Sequence, residues 1–398
     1  MLPMSLIVAP LGVPSADAVA ARFGEALRRD LGTGISAVGQ DVTVLTLPAN
    51  TESSPTKDAR TMARHAGARY VVEGDVRSSN NTNITNLRLV DSESGIQAWS
   101  GQYAFHEADG SVEASIAQRK LVGLVVRSVR TAETKRALSV PADRLNPAEL
   151  VLRAEAAVNQ TPMIANSLKA RDQIDKVLAS DPNNLIALKA RMWLLNDFLD
   201  LDPTMGLDQI AREADGLASS IMQIDPASPE TWFLRATSLR YLRRWNAAIE
   251  ASDQAIRRDP YEPFYYTAKA YIMILLGRPT EGLQLTERAL ALNPNDAAMH
   301  LLQQCYAFML LGQANSAIEA CEKANGITDY WGTQVYLVAL FANQGNMTRA
   351  AAAARALEKG APGYTIARAK RYSEVPEYLD LAEKYWFSGL RKAGVPEK

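Results

Sequence analysis

Glu73 and Asp75 stand two apart in Tyr70-Val71-Val72-Glu73-Gly74-Asp75-Val76, and in a β-strand that spacing turns both carboxyl groups to one face. Carboxylates so placed can hold a divalent cation or divide acid and base roles, but a solvated sheet face carries the same pattern and is the expectation here. The three histidines, His65, His106 and His300, are far apart in sequence and lack ligand-spaced partners, so they read as surface or packing residues. Gly32-Thr33-Gly34 follows a helical stretch instead of a strand, and its glycines are expected to end that helix, not to hold a dinucleotide. Cys305 and Cys321 read as two small buried residues rather than a redox pair. No G-x-x-x-x-G-K-[ST], H-E-x-x-H or G-x-S-x-G motif occurs. With no nucleophile, metal cluster or phosphate loop to name, the expectation is a chain that is not an enzyme and carries no metal or cofactor.

Composition narrows the partners. The 398 residues are 47% hydrophobic and 22% charged, enough to bury substantial cores in two or more domains. A net charge of −1 gives no electrostatic case for nucleic acid. No apolar run approaches the roughly 18 residues that cross a bilayer, and Met1 to Pro14 lacks the charged start of a signal peptide. The expected location is cytoplasmic, or periplasmic if a membrane span precedes this stretch on a longer chain.

The elements that carry these residues change character along the chain. Ser5 to Leu11 is a continuous apolar run expected to form a strand buried on both faces, and Asp17 to Leu31 has helical period up to Gly32. Asp41 to Leu47 alternates as a second strand, giving a parallel crossover. Asp58 to Ala68 reads as a helix capped by Gly67, and Arg69 to Arg77 as a half-buried strand. Strands over Asn86 to Val90 and Gln97 to Phe105 complete a meander, and a helix over Ser111 to Leu138 closes the domain.

Beyond Val140 the organisation is periodic. Pro226, Pro260 and Pro294 follow one another at 34-residue intervals, each after an acid or amide. Trp232, Ala236 and Leu239 share one face of a first helix, and Ala248, Ser252 and Ala255 one face of a second, with Pro260 blocking continuation. Tyr266, Ala270, Gly277, Gly282 and Ala289 keep that register. A third unit reads Leu301, Cys305, Phe308, Gly312, Ala317 and Ala324, and a fourth Val338, Phe341, Gly345, Ala350 and Leu357. Asn146 to Pro182 looks like a diverged first repeat. The interval from Pro182 to Pro226 is 44 residues, with an insertion expected over Asp200 to Gly206.

These offsets resemble the tetratricopeptide repeat. The segment from Gly67 to Arg77, followed by Leu87, Leu89-Val90-Asp91, Gly95, Trp99 and Tyr103, resembles the TolB-like amino-terminal α/β domain. In that family the domain precedes tetratricopeptide repeats in bacterial adenylate or guanylate cyclases and CadC-like winged-helix regulators. The tail from Gly389 to Glu397 resembles an ending common in that group. The resemblance implies an α/β domain with a small mixed sheet (1–139), a linker (140–145), an all-α tetratricopeptide-repeat solenoid (146–362) and a capping segment (363–398). Members owe their activity to an output domain ahead of the α/β part, for which this sequence has no room.

The expected function is therefore a non-enzymatic interaction or sensor module of a bacterial signalling system. The alternative is the regulatory region of a cyclase or CadC-like regulator whose output domain lies elsewhere. A protein or peptide partner would lie in the concave groove along the first helices, against Phe233, Arg240, Tyr241, Tyr271, Gln303, Tyr306, Tyr336 and Asn343. The lysine and asparagine set that clamps a carboxyl terminus in some members of the repeat family is missing.

Overall fold

The computed structural model describes residues 2–15, 17–38, 42–46, 58–80, 82–106, 112–160, 164–201, 206–293 and 297–398. Pro294 and the ends of the expected second strand, Asp41 and Leu47, lie outside them. The chain divides into two compact units, Met1–Ala156 and Ala157–Lys398.

In the first unit β1 (Leu2–Val8), β2 (Thr43–Val44), β3 (Ala68–Ser79), β4 (Thr82–Asp91) and β5 (Gln97–His106) form one sheet in the order β2-β1-β3-β4-β5. β1 is parallel to both β2 and β3, whereas β3, β4 and β5 are antiparallel neighbours. The mixed sheet expected from the crossover and meander is present, although β2 pairs over only two residues. Helix α2 (Ala59–Ala66) starts at Asp58, whose carboxylate accepts from the Arg60 amide at 3.3 Å. It stops at Gly67, whose φ of 76° is open to glycine at little cost. Met62 and Ala63 of α2 cover Ile7, Val71 and Val90, so the first half of β3 is buried on both faces.

One expectation needs correction here. Helix α1 (Ala18–Val38) runs through Gly32 and Gly34 instead of ending at them. Gly34 serves close packing: a Cβ there would stand 2.7 Å from Val122 on α3 (Val112–Ser139), so the two helices approach closely because it has none. Helix α3 is tied to the sheet by a buried carboxylate. Glu133 Oε1 accepts the Met4 amide at 3.0 Å and lies 3.5 Å from Arg69 Nε. Burial raises the Glu133 pKa, opposed by the Met4 amide and the Arg69 charge.

The second unit is built of helical hairpins after α4 (Pro147–Gln160), inside which the division of the chain falls. The helices are α5 (Ile164–Ser180), α6 (Leu185–Leu201), α7 (Leu207–Ile224), α8 (Pro229–Tyr241), α9 (Trp245–Arg258), α10 (Pro263–Leu275) and α11 (Pro279–Leu292). They continue as α12 (Ala298–Leu310), α13 (Ala314–Ile327), α14 (Trp331–Asn343) and α15 (Met347–Gly360). Small residues make the pairing tight: Ala248, Ala251, Ser252 and Ala255 are the buried residues of α9. The turns of the four hairpins from α8 to α15 repeat one hydrogen bond. The amides of Arg244, Arg278, Gln313 and Asn346 each donate at 2.9 Å to Leu239, Met273, Phe308 and Phe341. Gly277, Gly312 and Gly345 take left-handed φ of 73° to 76° at that bend, with Arg243 in their place in the α8–α9 hairpin.

The long interval ahead of Pro226 also reads differently in three dimensions. Helices α6 and α7 have 17 and 18 residues against 13 and 14 in α8 and α9, so most of the extra length extends the helices. Residues 202–205 of the expected insertion lie outside the described ones. Arg191 on α6 joins this wider hairpin to its neighbour, 3.3 Å from Asp175 on α5 and 2.5 Å from Glu213 on α7.

The cysteines are the third correction. Cys305 on α12 and Cys321 on α13 are buried as expected, but they are joined as a disulfide with their Cα atoms 5.3 Å apart. Both are among the buried residues of the paired helices of one unit. Antiparallel packing of small residues at those positions brings the Cα atoms within bridging distance.

After α15 the chain turns back. A short α16 (Ile366–Ala369) leads to α17 (Pro376–Ala382), a five-residue π turn over Glu383–Phe387, and α18 (Ser388–Lys392). These last three run on as one helix, which lies against the first helices α12 and α14 rather than continuing the stack.

Candidate partner-binding face

The face formed by α6, α8, α10, α12 and α14 is aromatic along its length, and its two halves differ. Over α6 to α10, Trp193, Phe233, Phe264 and Tyr265 make one cluster with ring centroids 5.2 to 5.7 Å apart. Phe233 and Tyr265 are buried, whereas Trp193 and Phe264 are half-buried. Further along, the Arg240 guanidinium lies 4.3 Å from the Tyr241 ring centre and 5.2 Å from that of Tyr271. Thr267 Oγ1 and His300 Nδ1 meet at 2.6 Å, which makes His300 a buried packing histidine between α10 and α12.

Over α12 and α14 the chain's own last helix occupies the face. The Trp386 indole sits 5.4 Å from the rings of both Tyr306 and Tyr336 and 6.2 Å from Tyr372. Tyr306 and Tyr336 stack on each other at 4.7 Å. The Tyr306 and Tyr378 hydroxyls meet at 2.6 Å in full burial, which pushes both phenols well above the usual tyrosine range. Asn343 Nδ2 donates to the Tyr385 carbonyl at 2.9 Å, and Lys392 Nζ donates to Asn343 Oδ1 at 3.0 Å. Ser373 Oγ donates to the Leu275 carbonyl at 2.7 Å, anchoring the approach to this helix beside α10.

The eight groove residues named from the sequence therefore fall into two sets. Phe233, Arg240 and Tyr241 lie on the half that the last helix does not cross, and Tyr271 stands at the boundary, its ring centre 6.4 Å from that of Tyr306. Tyr306, Tyr336 and Asn343 engage that helix, while Gln303, on α12, is buried. Sequence reasoning left out Tyr378, Trp386 and Gly389, which complete the second set. The available signal was amphipathic spacing in 376–392, obscured by an extra residue at the π turn.

On the first unit, Glu73 and Asp75 do share a face, and cross-strand neighbours engage both. Arg88 Nε donates to Glu73 at 2.7 Å, Asn86 Nδ2 to Asp75 at 3.0 Å, and Gln102 Nε2 to Asn86 at 2.9 Å. An open cavity of about 540 Å³ lies over these ladders, bordered by Pro10 and Ala59. No cluster of three or more potential metal ligands occurs among the described residues. Nor, among them, is any helix long and apolar enough to cross a membrane.

Paired helices at a 34-residue period, bent at left-handed glycines and packed through small residues, define the second unit as a tetratricopeptide-like array. The first unit is a small mixed-sheet α/β unit. No protein-family model matches the chain. Over 249 residues, 62% of its length, the chain is 27% identical to "Putative adenylate cyclase 3" of Rhizobium meliloti (strain 1021), and the match spans 42% of that protein. Among solved structures it is similar to a tetratricopeptide repeat protein from Parabacteroides merdae, with 14% identity, coverage of 67% and 98% of the two chains, and a TM-score of 0.43. A thermophilic repeat protein from Thermus thermophilus gives 20%, 52% and 98%, and 0.38.

Proposed function

We propose that the chain is a non-enzymatic interaction module of a bacterial signalling or regulatory system, holding a protein or peptide partner on the first-helix face of its repeats. The observation that carries this reading is the aromatic surface over α6 to α10, where Trp193, Phe264, Tyr241 and Tyr271 keep part of their area in solvent beside Arg240. Large rings of low rotamer entropy with one cation suit an extended or helical peptide. The polar groups best placed for chemistry, Glu73 and Asp75, are taken up by Arg88 and Asn86, which supports a structural role for them. The α/β unit, proposed as TolB-like on its 67–103 pattern, would orient the array or receive a second input.

A peptide display library panned on the wild-type chain tests this. Peptides selected by the wild type are expected to lose at least about tenfold in affinity for the Tyr271→Ala and Arg240→Ala variants, the loss typical of an interface anchor. Equal affinity would remove the reading.

One observation favours a more specific second reading, the regulatory region of a nucleotide cyclase: the 27% identity to the Rhizobium meliloti protein, over less than half of that protein's length. A continuous coding frame upstream of Met1 that encodes a cyclase domain would support it, and a winged helix there would point to a CadC-like regulator. The buried disulfide supports the periplasmic alternative for location, because such bonds persist in oxidising compartments.

A further inference from the structure

The helix over 376–392 is held as a docked ligand is held. Its buried residues are Tyr378, Ala382, Trp386, Phe387, Gly389 and Leu390, and Glu377, Asp380, Glu383, Lys384, Arg391 and Lys392 point outward. Tyr378 and Trp386 are eight apart, about 80° out of line on a regular α-helix. The π turn over Glu383–Phe387 absorbs one residue, so Trp386 behaves as an i+7 neighbour and returns to the face of Tyr378. The receiving surface supplies a matched site for each anchor. Tyr306 meets the Tyr378 hydroxyl, Tyr306 and Tyr336 flank the indole, and Asn343 takes the backbone carbonyl that the π turn leaves available. Gly389 lies on α14 so closely that a Cβ would stand 2.4 Å from the Ala339 oxygen.

The fit has one defect. Trp386 Nε1 is buried without a hydrogen-bond acceptor among the described residues. An unmet indole N–H weakens the resident helix relative to a ring that has none.

We propose that the face over α10, α12 and α14 is a binding site for an amphipathic helix bearing tyrosine, a second aromatic ring eight residues on and glycine three beyond that, and that residues 376–392 occupy it in cis until a partner helix of that chemistry replaces them. This rests on the interaction-module reading and names the partner for the second half of the face. The partner is read through three anchors and one backbone carbonyl, with its outer side free in sequence. A phenylalanine at the second anchor removes the unmet donor, which lets a partner compete against a tethered resident.

The test uses the full chain with a protease site inserted after the exposed Glu374 and cut once folded, so that 375–398 remains without a covalent link. A fluorescent synthetic peptide of residues 375–398 is then added. The proposal expects the peptide to exchange into the nicked protein, its W386F form to bind within about threefold of the parent, and its W386A form to bind at least about a hundredfold more weakly, the scale of an anchor worth roughly 3 kcal/mol. Failure to exchange below the unfolding temperature, collapse of helicity on nicking, or equal exchange of the W386A peptide would each overturn it. Those results leave the α6–α8 part of the face untouched, since Arg240→Ala addresses that part separately.

Discussion

The two units meet the same difficulty, a broad face left over once their own elements have packed, and they finish it with opposite chemistry. In the α/β unit the part of the sheet beyond α2 is closed by polar ladders, Glu73 with Arg88 and Asp75 with Asn86 and Gln102. In the helical unit the first-helix face stays aromatic. Its far half is closed by the chain's last helix, and its near half keeps rings in contact with water. A polar ladder satisfies itself and asks for nothing further, whereas an apolar aromatic face is incomplete until something covers it. This contrast supports the proposal of a partner on the repeats and not on the sheet.

The sharpest way to break the comparison is to remove the cover. Trp386→Ala is expected to cost about 3 to 5 kcal/mol, the usual loss for emptying a buried aromatic site, read from denaturant midpoints. A loss below about 1 kcal/mol would mean that the far half is not closed by this helix. Next in size, replacing Cys305 and Cys321 together by alanine should cost about 3 kcal/mol, the scale for a bridge across so short a loop, and an unchanged melting temperature would count against it.

The smallest effect sharpens the polar side of the contrast. Burial raises the Glu133 pKa in the folded state, so between its ordinary and its raised value the folded chain binds more protons than the unfolded one. Stability from this group is present at low pH and declines as pH rises through that window. Glu133→Gln should flatten that decline in melts recorded from pH 4 to 8, and an unaltered slope would show that another group sets it.

The period, the hairpins, the crossover and the meander were legible because each rests on local rules: prolines and left-handed glycines at fixed offsets, and apolar residues at helical or alternating spacing. What escaped was decided by partners distant in sequence. Gly32 and Gly34 looked like a terminus because glycine usually ends helices, yet Val122 on α3 gives Gly34 a packing role within one. The two cysteines looked like ordinary buried small residues until α12 and α13 were set face to face. The same limit applied to the site. Phe233, Arg240, Tyr241 and Tyr271 could be placed from the repeat register alone, but the fold-back that engages Tyr306, Tyr336 and Asn343 depends on an extra residue in the π turn.

The crowding around Trp386 has an optical consequence. Three tyrosine rings, those of Tyr306, Tyr336 and Tyr372, stand 5.4 to 6.2 Å from its indole, within range for energy transfer and for coupled near-ultraviolet transitions. The chain thus carries an intrinsic spectroscopic gauge at the seam between its last helix and its repeats, and it needs no added dye to report whether that seam is shut.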